Sequence, residues 1–252
     1  MMQEQLLSRN IVISGGSSGI GKECAIECSK QGANLLIIGR NALTLQETMN
    51  SLSPGCHLSL VIDLNTPDEI ENNLLGTLST FGKIDGFVHS AGIEKTLPFD
   101  FSKPPVFRDV FNVNVFSGFE LSRILSNKKY ISPNGASFVF IASILGVVGR
   151  AGTVAYCSSK GAVISGVKAL ALELNRKKIR VNAISPAIVE TQLTKTIFEG
   201  IPQESIQCLT NMHPLGFGRA SDIAQGCIYL LSEESRWITG SNLIIDGGYS
   251  IQ

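Results

Sequence analysis

The stretch Ile11-Val12-Ile13-Ser14-Gly15-Gly16-Ser17-Ser18-Gly19-Ile20-Gly21 decides how the chain is read. Ile11, Val12 and Ile13 form an apolar, β-branched run too short for a helix, and it suits a buried strand. Gly15, Gly19 and Gly21 follow at Gly-x-x-x-Gly-x-Gly spacing, which lets the backbone turn sharply into a helix that opens at Gly19. Such a turn lets a pyrophosphate approach the helix amides, where the peptide dipoles favour negative charge. A glycine-rich run alone could be a flexible loop. The order strand, turn, helix at the head of the first βαβ unit instead marks a dinucleotide-binding turn, lined by Gly15, Ser17, Ser18, Gly19, Ile20 and Gly21.

Working outward, short Val- and Ile-rich runs recur at 11–13, 35–38, 58–62, 87–88, 138–141, 181–184 and 243–245. They read as buried strands. Amphipathic stretches at 19–31, 43–52, 67–80, 105–125, 154–175 and 222–231 read as the helices between them. Thr66 is placed to cap the third, with Pro67 at its first position, and Gly32 and Gly82 stand where helices end. Alternating strands and helices imply right-handed crossovers and a doubly wound parallel sheet, an α/β fold of the Rossmann type. No linker or repeat divides 1–252, so one domain is expected. Residues 187–220 break the rhythm, hold Pro202 and Pro214, and show no strand. A long insertion beyond the sixth strand is where a substrate lid is expected.

Composition narrows the function. The chain has 252 residues, is 44% hydrophobic, and balances 21 basic against 21 acidic residues. It is too apolar for a disordered chain, and it has no net field to draw nucleic acid or an anionic membrane. The first ten residues carry Glu4 and Arg9 and do not read as a secretory signal, and no apolar run is long enough to span a bilayer. The six cysteines form no Cys-x-x-Cys pair and, with three histidines, show no metal-ligand spacing. Reduced thiols in a cytoplasmic protein without a metal are expected.

Two further positions bear on the cofactor. Dinucleotide sites that prefer NAD usually end the second strand with an acid on the ribose. Here that strand ends Ile38-Gly39-Arg40: Gly39 leaves room and Arg40 can pair with a 2′-phosphate, which favours NADP(H) over NAD(H), unless Arg40 is only a solvated loop charge. Asp63 is placed to accept from an adenine amino group, or equally to cap the next turn, with Leu64 beside it.

Tyr156 and Lys160 lie four apart in a helical stretch and share a face. A lysine there could lower the phenol's pKa and reach ribose hydroxyls, and such a tyrosine can exchange a proton with a carbonyl or alcohol. Ser143 ends the strand at 138–141 and precedes a loop that could line a pocket. Asn114 stands mid-helix, where asparagine is a poor residue, and suggests a local break or a buried polar bond; Asn112 points elsewhere.

Taken together these residues resemble a short-chain dehydrogenase/reductase of the compact type, over nearly the whole chain. Asn114, Ser143, Tyr156 and Lys160 match the catalytic tetrad in order and spacing. Pro186 and Thr191 match the segment after the sixth strand, although Ala187 replaces glycine. Thr239-Gly240 and Asp246-Gly247-Gly248 match an ending seen in 3-oxoacyl-(acyl carrier protein) reductases. His89-Ser90-Ala91-Gly92 stands where the family usually has Asn-Asn-Ala-Gly, and Ser18 where many NADP-dependent relatives carry a base. The resemblance implies seven parallel strands in the order 3-2-1-4-5-6-7 and hydride transfer to a ketone. Tyr156 would be the general acid or base, Ser143 the hydrogen-bond donor to the substrate oxygen, Lys160 the ribose ligand, and Asn114 the holder of a relay water. Ala91, Gly92, Pro186, Ile188 and Thr191 would complete the cofactor site.

The substrate pocket is expected among Ile93, Leu145, Val147, Ile188, Val189, Leu193, Ile197 and Phe198, an apolar set that suits a 3-oxoacyl thioester or another small or alicyclic ketone. Glu94 and Arg150 are either polar groups at its mouth or ordinary loop charges. A keto-sugar reductase and a non-catalytic nucleotide-binding regulator stay open; the intact tetrad argues against the second. A nucleotide-sugar epimerase would be expected to carry a further C-terminal domain. The resemblance also implies a homodimer or homotetramer through the helix at 154–175 and the C-terminal strand. Val163, Val167, Leu170 and Leu174 form a partly apolar face of that helix, which otherwise belongs to the chain's own core.

Overall fold

The computed structural model describes residues 4–251. Among the described residues, nine strands run β1 Asn10–Ser14, β2 Asn34–Gly39, β3 Leu58–Val61, β4 Gly86–His89, β5 Ala136–Ile141, β6 Ile179–Pro186, β7 Val189–Glu190, β8 Gly218–Arg219 and β9 Asn242–Ile245. The α-helices of the same residues are α1 Gly19–Lys30, α2 Ala42–Met49, α3 Ile70–Phe81, α4 Pro104–Phe111, α5 Ser117–Leu125, α6 Val154–Leu174, α7 Gln192–Phe198, α8 Gln203–Asn211 and α9 Ala220–Leu231. Seven strands form one parallel sheet in the order β3-β2-β1-β4-β5-β6-β9. That is the expected order, because β7 and β8 pair only with each other.

The two-residue period of the strands sorts the core into two layers. Val12, Leu36, Ile38, Phe87, Phe138 and Phe140 face α3, α5 and α6 on one side. Ile11, Ile13, Leu35, Ile37, Val88 and Val139 face α1 and α9 on the other. Phe87 packs edge-on against both Phe138 and Phe140, with centroids 5.5 and 6.0 Å away. Because every strand is parallel, the carboxyl ends of β1, β4, β5 and β6 share one rim.

Several sequence expectations are corrected. β3 is an edge strand and largely exposed, with Val61 52% accessible, so apolar composition alone did not mean burial there. Thr66 occupies the cap position but its hydroxyl does not cap the helix; it donates back to the Asp63 carbonyl, and the helix opens as a 3₁₀ turn at Pro67–Glu69. The helix expected at 105–125 is α4 and α5 joined by a π-helical turn, Asn112–Phe116. Residues 187–220 do contain strand, the short β7–β8 pair, besides α7 and α8. Val163, Val167 and Leu174 on α6 are buried in the chain's own core and Leu170 packs against it, so that face is not free for a partner.

Phe87 is fully buried between two aromatic rings. Phe87→Ala is expected to destabilise the protein by about 3–5 kcal/mol, read as a lowered urea midpoint at unchanged slope.

Candidate active site

The turn after β1 is shaped by steric contact. Gly15 has φ +74°, and a Cβ on it would lie 2.6 Å from the Ala91 amide nitrogen. A Cβ on Gly21 would lie 2.2 Å from the Gly15 carbonyl oxygen. Both positions therefore exclude a side chain, and the ends of β1 and β4 meet directly. Thr191 stands across from this turn, its Cγ2 3.6 Å from where a Gly19 Cβ would be. The glycine turn and the segment after β6 thus form the two walls of one cleft. Arg40 is exposed at the end of β2 and makes no ion pair among the described residues. Asp63 is exposed and accepts from the Asn65 amide, as an acid capping its own turn does. The Leu64 side chain is buried in the core.

His89 replaces the usual asparagine without opening the core. Its Nδ1 lies 2.7 Å from the Ser14 hydroxyl, across the β1–β4 pair. Gly118 makes room for the ring, since a Cβ there would lie 2.7 Å from the histidine Cδ2. Burial holds this imidazole neutral, with a pKa pulled down to about 3, and the nearby Lys160 charge acts the same way.

The tetrad residues converge on the rim. The π turn places Asn114 fully inside. Its Oδ1 accepts from the Ile93 amide at 2.8 Å, while its Nδ2 donates to the Ile93 carbonyl at 3.0 Å and to the Ser159 hydroxyl at 2.9 Å. Lys160, one residue beyond Ser159, is 4% exposed and donates to the Ile141 carbonyl at 2.8 Å. A Cβ on Gly92 would lie 3.4 Å from Lys160 Nζ and 3.5 Å from Asn114 Oδ1, so Gly92 keeps the space beside both open. Ser143 accepts from the Leu145 amide at 3.2 Å, which leaves its own proton to donate, and it stands near enough to the Tyr156 phenol to favour its charged form. Lys160 Nζ lies 5.7 Å from the centre of the Tyr156 ring.

The electrostatics differ from the expectation that Lys160 depresses Tyr156. Burial is the largest influence on both groups. It raises the phenol to about 12, helped by the charge of Glu94 and opposed by Ser143 and Arg150. It lowers the ammonium to about 8, against the pull of Glu94. At neutral pH the phenol keeps its proton.

Other expected residues fall differently. Ile93 and Ile188 are half-buried by the cleft, and Leu145 is buried against Ser143. Val189 is a core residue and Val147 is exposed. Phe198 stacks on Phe217 within the lid, at 5.4 Å between centroids. The side chains of Leu193 and Ile197 lie outside the described residues. Sequence reasoning missed Ser159, the anchor for Asn114, and Gly146, where a Cβ would lie 2.7 Å from the Lys160 carbonyl carbon. The Ser-x-x-Gly spacing from Ser143 was the available signal for Gly146. Among the described residues, no group of three or more His, Cys, Asp or Glu could hold a metal. No helix among them is long and apolar enough to cross a membrane.

A dinucleotide turn beside buried Asn114, Ser143 and Lys160 and half-buried Tyr156, on this sheet, defines the class: an oxidoreductase that uses a nicotinamide dinucleotide. Residues 15–250 match the family model described as enoyl-(acyl carrier protein) reductase. The NAD-dependent glycerol dehydrogenase of Listeria innocua is 31% identical over 242 residues, 96% of this chain and 93% of that protein. The 3-oxoacyl-[acyl-carrier-protein] reductase FabG of Thermotoga maritima is 32% identical over 244 residues, 95% of this chain and 97% of that protein. The structure of 4-hydroxyisoleucine dehydrogenase complexed with NADH superposes with a TM-score of 0.88 at 30% identity, covering 97% of this chain and all of that one. The chain belongs to the short-chain dehydrogenase/reductase family.

The lysine shift carries a stability signature. A lysine lowered from 10.5 to about 8 binds fewer protons in the folded state between those values. Its burial penalty is therefore full below pH 8 and vanishes as pH rises toward 10.5. Relative to Lys160→Met, the wild-type protein is expected to gain about 2–3 kcal/mol between pH 7 and pH 10. Urea denaturation of both proteins at the two pH values measures this, and a pH-independent difference contradicts it.

Proposed function

We propose that this protein reduces a small ketone to a secondary alcohol, with Tyr156 as the general acid and NADPH as the preferred reductant. The observation that carries the reading is a phenol set beside Lys160, whose ammonium lies 5.7 Å from the ring centre, with the Ser143 hydroxyl nearby, at the mouth of the dinucleotide cleft; burial favours its protonated form. When bound, the dinucleotide supplies a hydride to the carbonyl carbon. Tyr156 donates its proton to the carbonyl oxygen as negative charge develops there. Ser143, oriented by the Leu145 amide, donates a hydrogen bond to the same oxygen. Lys160 holds ribose hydroxyls and stands next to the phenol that must be reprotonated. Asn114, held by its side-chain bonds to Ile93 and Ser159, is assigned the positioning of a relay water.

The cofactor residues proposed are Gly15, Ser17, Ser18, Gly19, Ile20, Gly21, Arg40, Asp63, Leu64, Ala91, Gly92, Tyr156, Lys160, Pro186, Ile188 and Thr191. Leu64, with its side chain buried, would contribute main chain only. Ile93, Leu145, Ile188, Leu193 and Phe198 remain the substrate-side residues, and 187–220 the lid. Arg40 supports NADPH because its exposed guanidinium stands at the end of β2, where a ribose 2′-phosphate would lie. We assign the protein to the cytoplasm as a homo-oligomer. The exposed Leu172 on α6 and the half-exposed edge strand β9 are the apolar surfaces that support association.

Tyr156→Phe is expected to lower kcat for any accepted ketone by at least about 10³-fold while NADPH fluorescence titration still shows binding. Normal turnover by the variant would remove Tyr156 from the mechanism. Arg40→Ala is expected to weaken NADPH binding about tenfold or more and to leave NADH binding nearly unchanged. Equal losses for both cofactors would show that Arg40 does not read the 2′-phosphate.

A further inference from the structure

Two loops flank Tyr156. One, after β4, runs through Gly92, Ile93 and Glu94; the other, after β5, runs from Ser143 to Thr153. They are tied across the mouth by the Leu97 amide donating to the Gly152 carbonyl at 2.8 Å. A second tie is ionic: Arg150 donates to the Glu94 carboxylate. Glu94 is held firmly. Its neighbour Ile93 is clamped at both main-chain atoms by Asn114, and Thr96 donates its hydroxyl to Glu94 at 3.1 Å. Only 17% of the Glu94 side chain is accessible.

Both donors use the same carboxylate oxygen, Oε1. Oε2 takes no hydrogen bond among the described residues. A carboxylate oxygen so placed accepts a proton donor when one is offered, and it gains most from a partner that shields it from water. Its surroundings identify the site it serves. Gly92 leaves room beside Lys160 Nζ, and the charges of Glu94 and Arg150 are both felt at the Tyr156 phenol. Glu94 therefore stands at the rim of the same cleft, where the part of a substrate next to its carbonyl would lie.

Resting on the ketone-reductase reading above, we infer that Glu94 is the specificity-determining residue of this site: its Oε2 accepts a hydrogen bond from a substrate hydroxyl, and the substrate is a neutral hydroxyketone, which the reverse reaction would meet as a polyol. An acyl thioester offers no donor there. A ketone carrying its own carboxylate or phosphate meets the Glu94 charge, with Arg150 already paired. Of the apolar residues expected to favour an acyl chain, Val189 lies in the core and does not line the cleft.

The test compares hydroxyacetone with 2-butanone, which differ by a hydroxyl in place of a methyl, and adds 3-oxobutanoyl-N-acetylcysteamine as the thioester. NADPH oxidation is followed with each. Wild-type protein is expected to show kcat/KM for hydroxyacetone about 10- to 100-fold above 2-butanone, the worth of one hydrogen bond to a charged group. It should also exceed the thioester. Glu94→Leu is expected to bring the hydroxyacetone to 2-butanone ratio near one, through KM for the hydroxyketone. Glu94→Gln keeps one oxygen for Arg150 and Thr96, which guards against misfolding, and puts an NH2 where Oε2 stood; that group can only donate to the substrate hydroxyl, so the preference should fall to part of its wild-type size. A wild-type ratio near one, a thioester that surpasses hydroxyacetone, or a ratio unmoved in Glu94→Leu overturns the assignment of Glu94 and leaves the reductase reading intact. Turnover of no ketone at all overturns the reductase reading and this inference with it.

Discussion

The side-chain amide of Asn114 ties together three parts of the molecule that are far apart in sequence. It satisfies both main-chain atoms of Ile93 in the loop after β4, and it holds Ser159 on α6. It can do so because the chain leaves α-helical geometry at Asn112–Phe116. A π turn widens the helix locally and redirects its side chains, an arrangement that costs backbone hydrogen-bond quality and persists where other contacts compensate. Here the compensation is complete burial of an amide with donors and acceptors matched. An apolar residue at this position would leave the half-buried Ile93 amide and carbonyl without those partners. Lys160 follows Ser159 and Glu94 follows Ile93, so the same amide sets the frame for the proton-handling groups and for the rim of the cleft.

Close backbone contact is the second constraint. Gly15, Gly21 and Gly146 stand where backbones meet, and any side chain would collide with main chain rather than with a flexible tip. The contacts bring the glycine turn, the end of β4, the loop after β5 and α6 to one rim. A rigid rim of this kind fits a site that must hold a hydride donor, a carbonyl carbon and a proton donor in line. The His89–Ser14 bond and the space left by Gly118 show that the rim accommodates a different residue behind it when the ring has room and one nitrogen has a partner, although Nε2 is buried without one among the described residues.

Much of this was legible in the residues. Strand positions followed from apolar runs because a parallel sheet buries both faces of its inner strands. The same rule failed for β3, since an edge position is a property of topology and not of the run itself. The odd asparagine at 114 signalled a break, but the π turn could not be read, because helical periodicity is too coarse to show one added residue. The apolar positions of α6 could not be divided between core and partner from spacing, as both need the same residues; their contacts with the core decide it. The sign of the Tyr156 shift was misjudged for a related reason. Spacing reports that a lysine is near, while the pKa depends on how far both groups are removed from water.

That misjudgement bears on chemistry. A phenol raised by burial is a poor base and a ready acid at neutral pH, so the site is poised to give a proton before it takes one. Lys160, lowered to about 8, is charged at neutral pH but holds its proton less firmly than a solvated lysine does. The two shifts run in opposite directions and open a gap between groups whose ordinary values nearly coincide, so a proton passing from Lys160 to a phenolate at Tyr156 runs downhill. Both arise from the same removal of water that the Asn114 frame and the close backbone contacts enforce. The stability given up by burying Lys160 is thus coupled to the groups that move the proton, because a cleft open enough to relieve that cost would also return the phenol toward its solvated pKa and weaken every hydrogen bond aimed at the substrate oxygen.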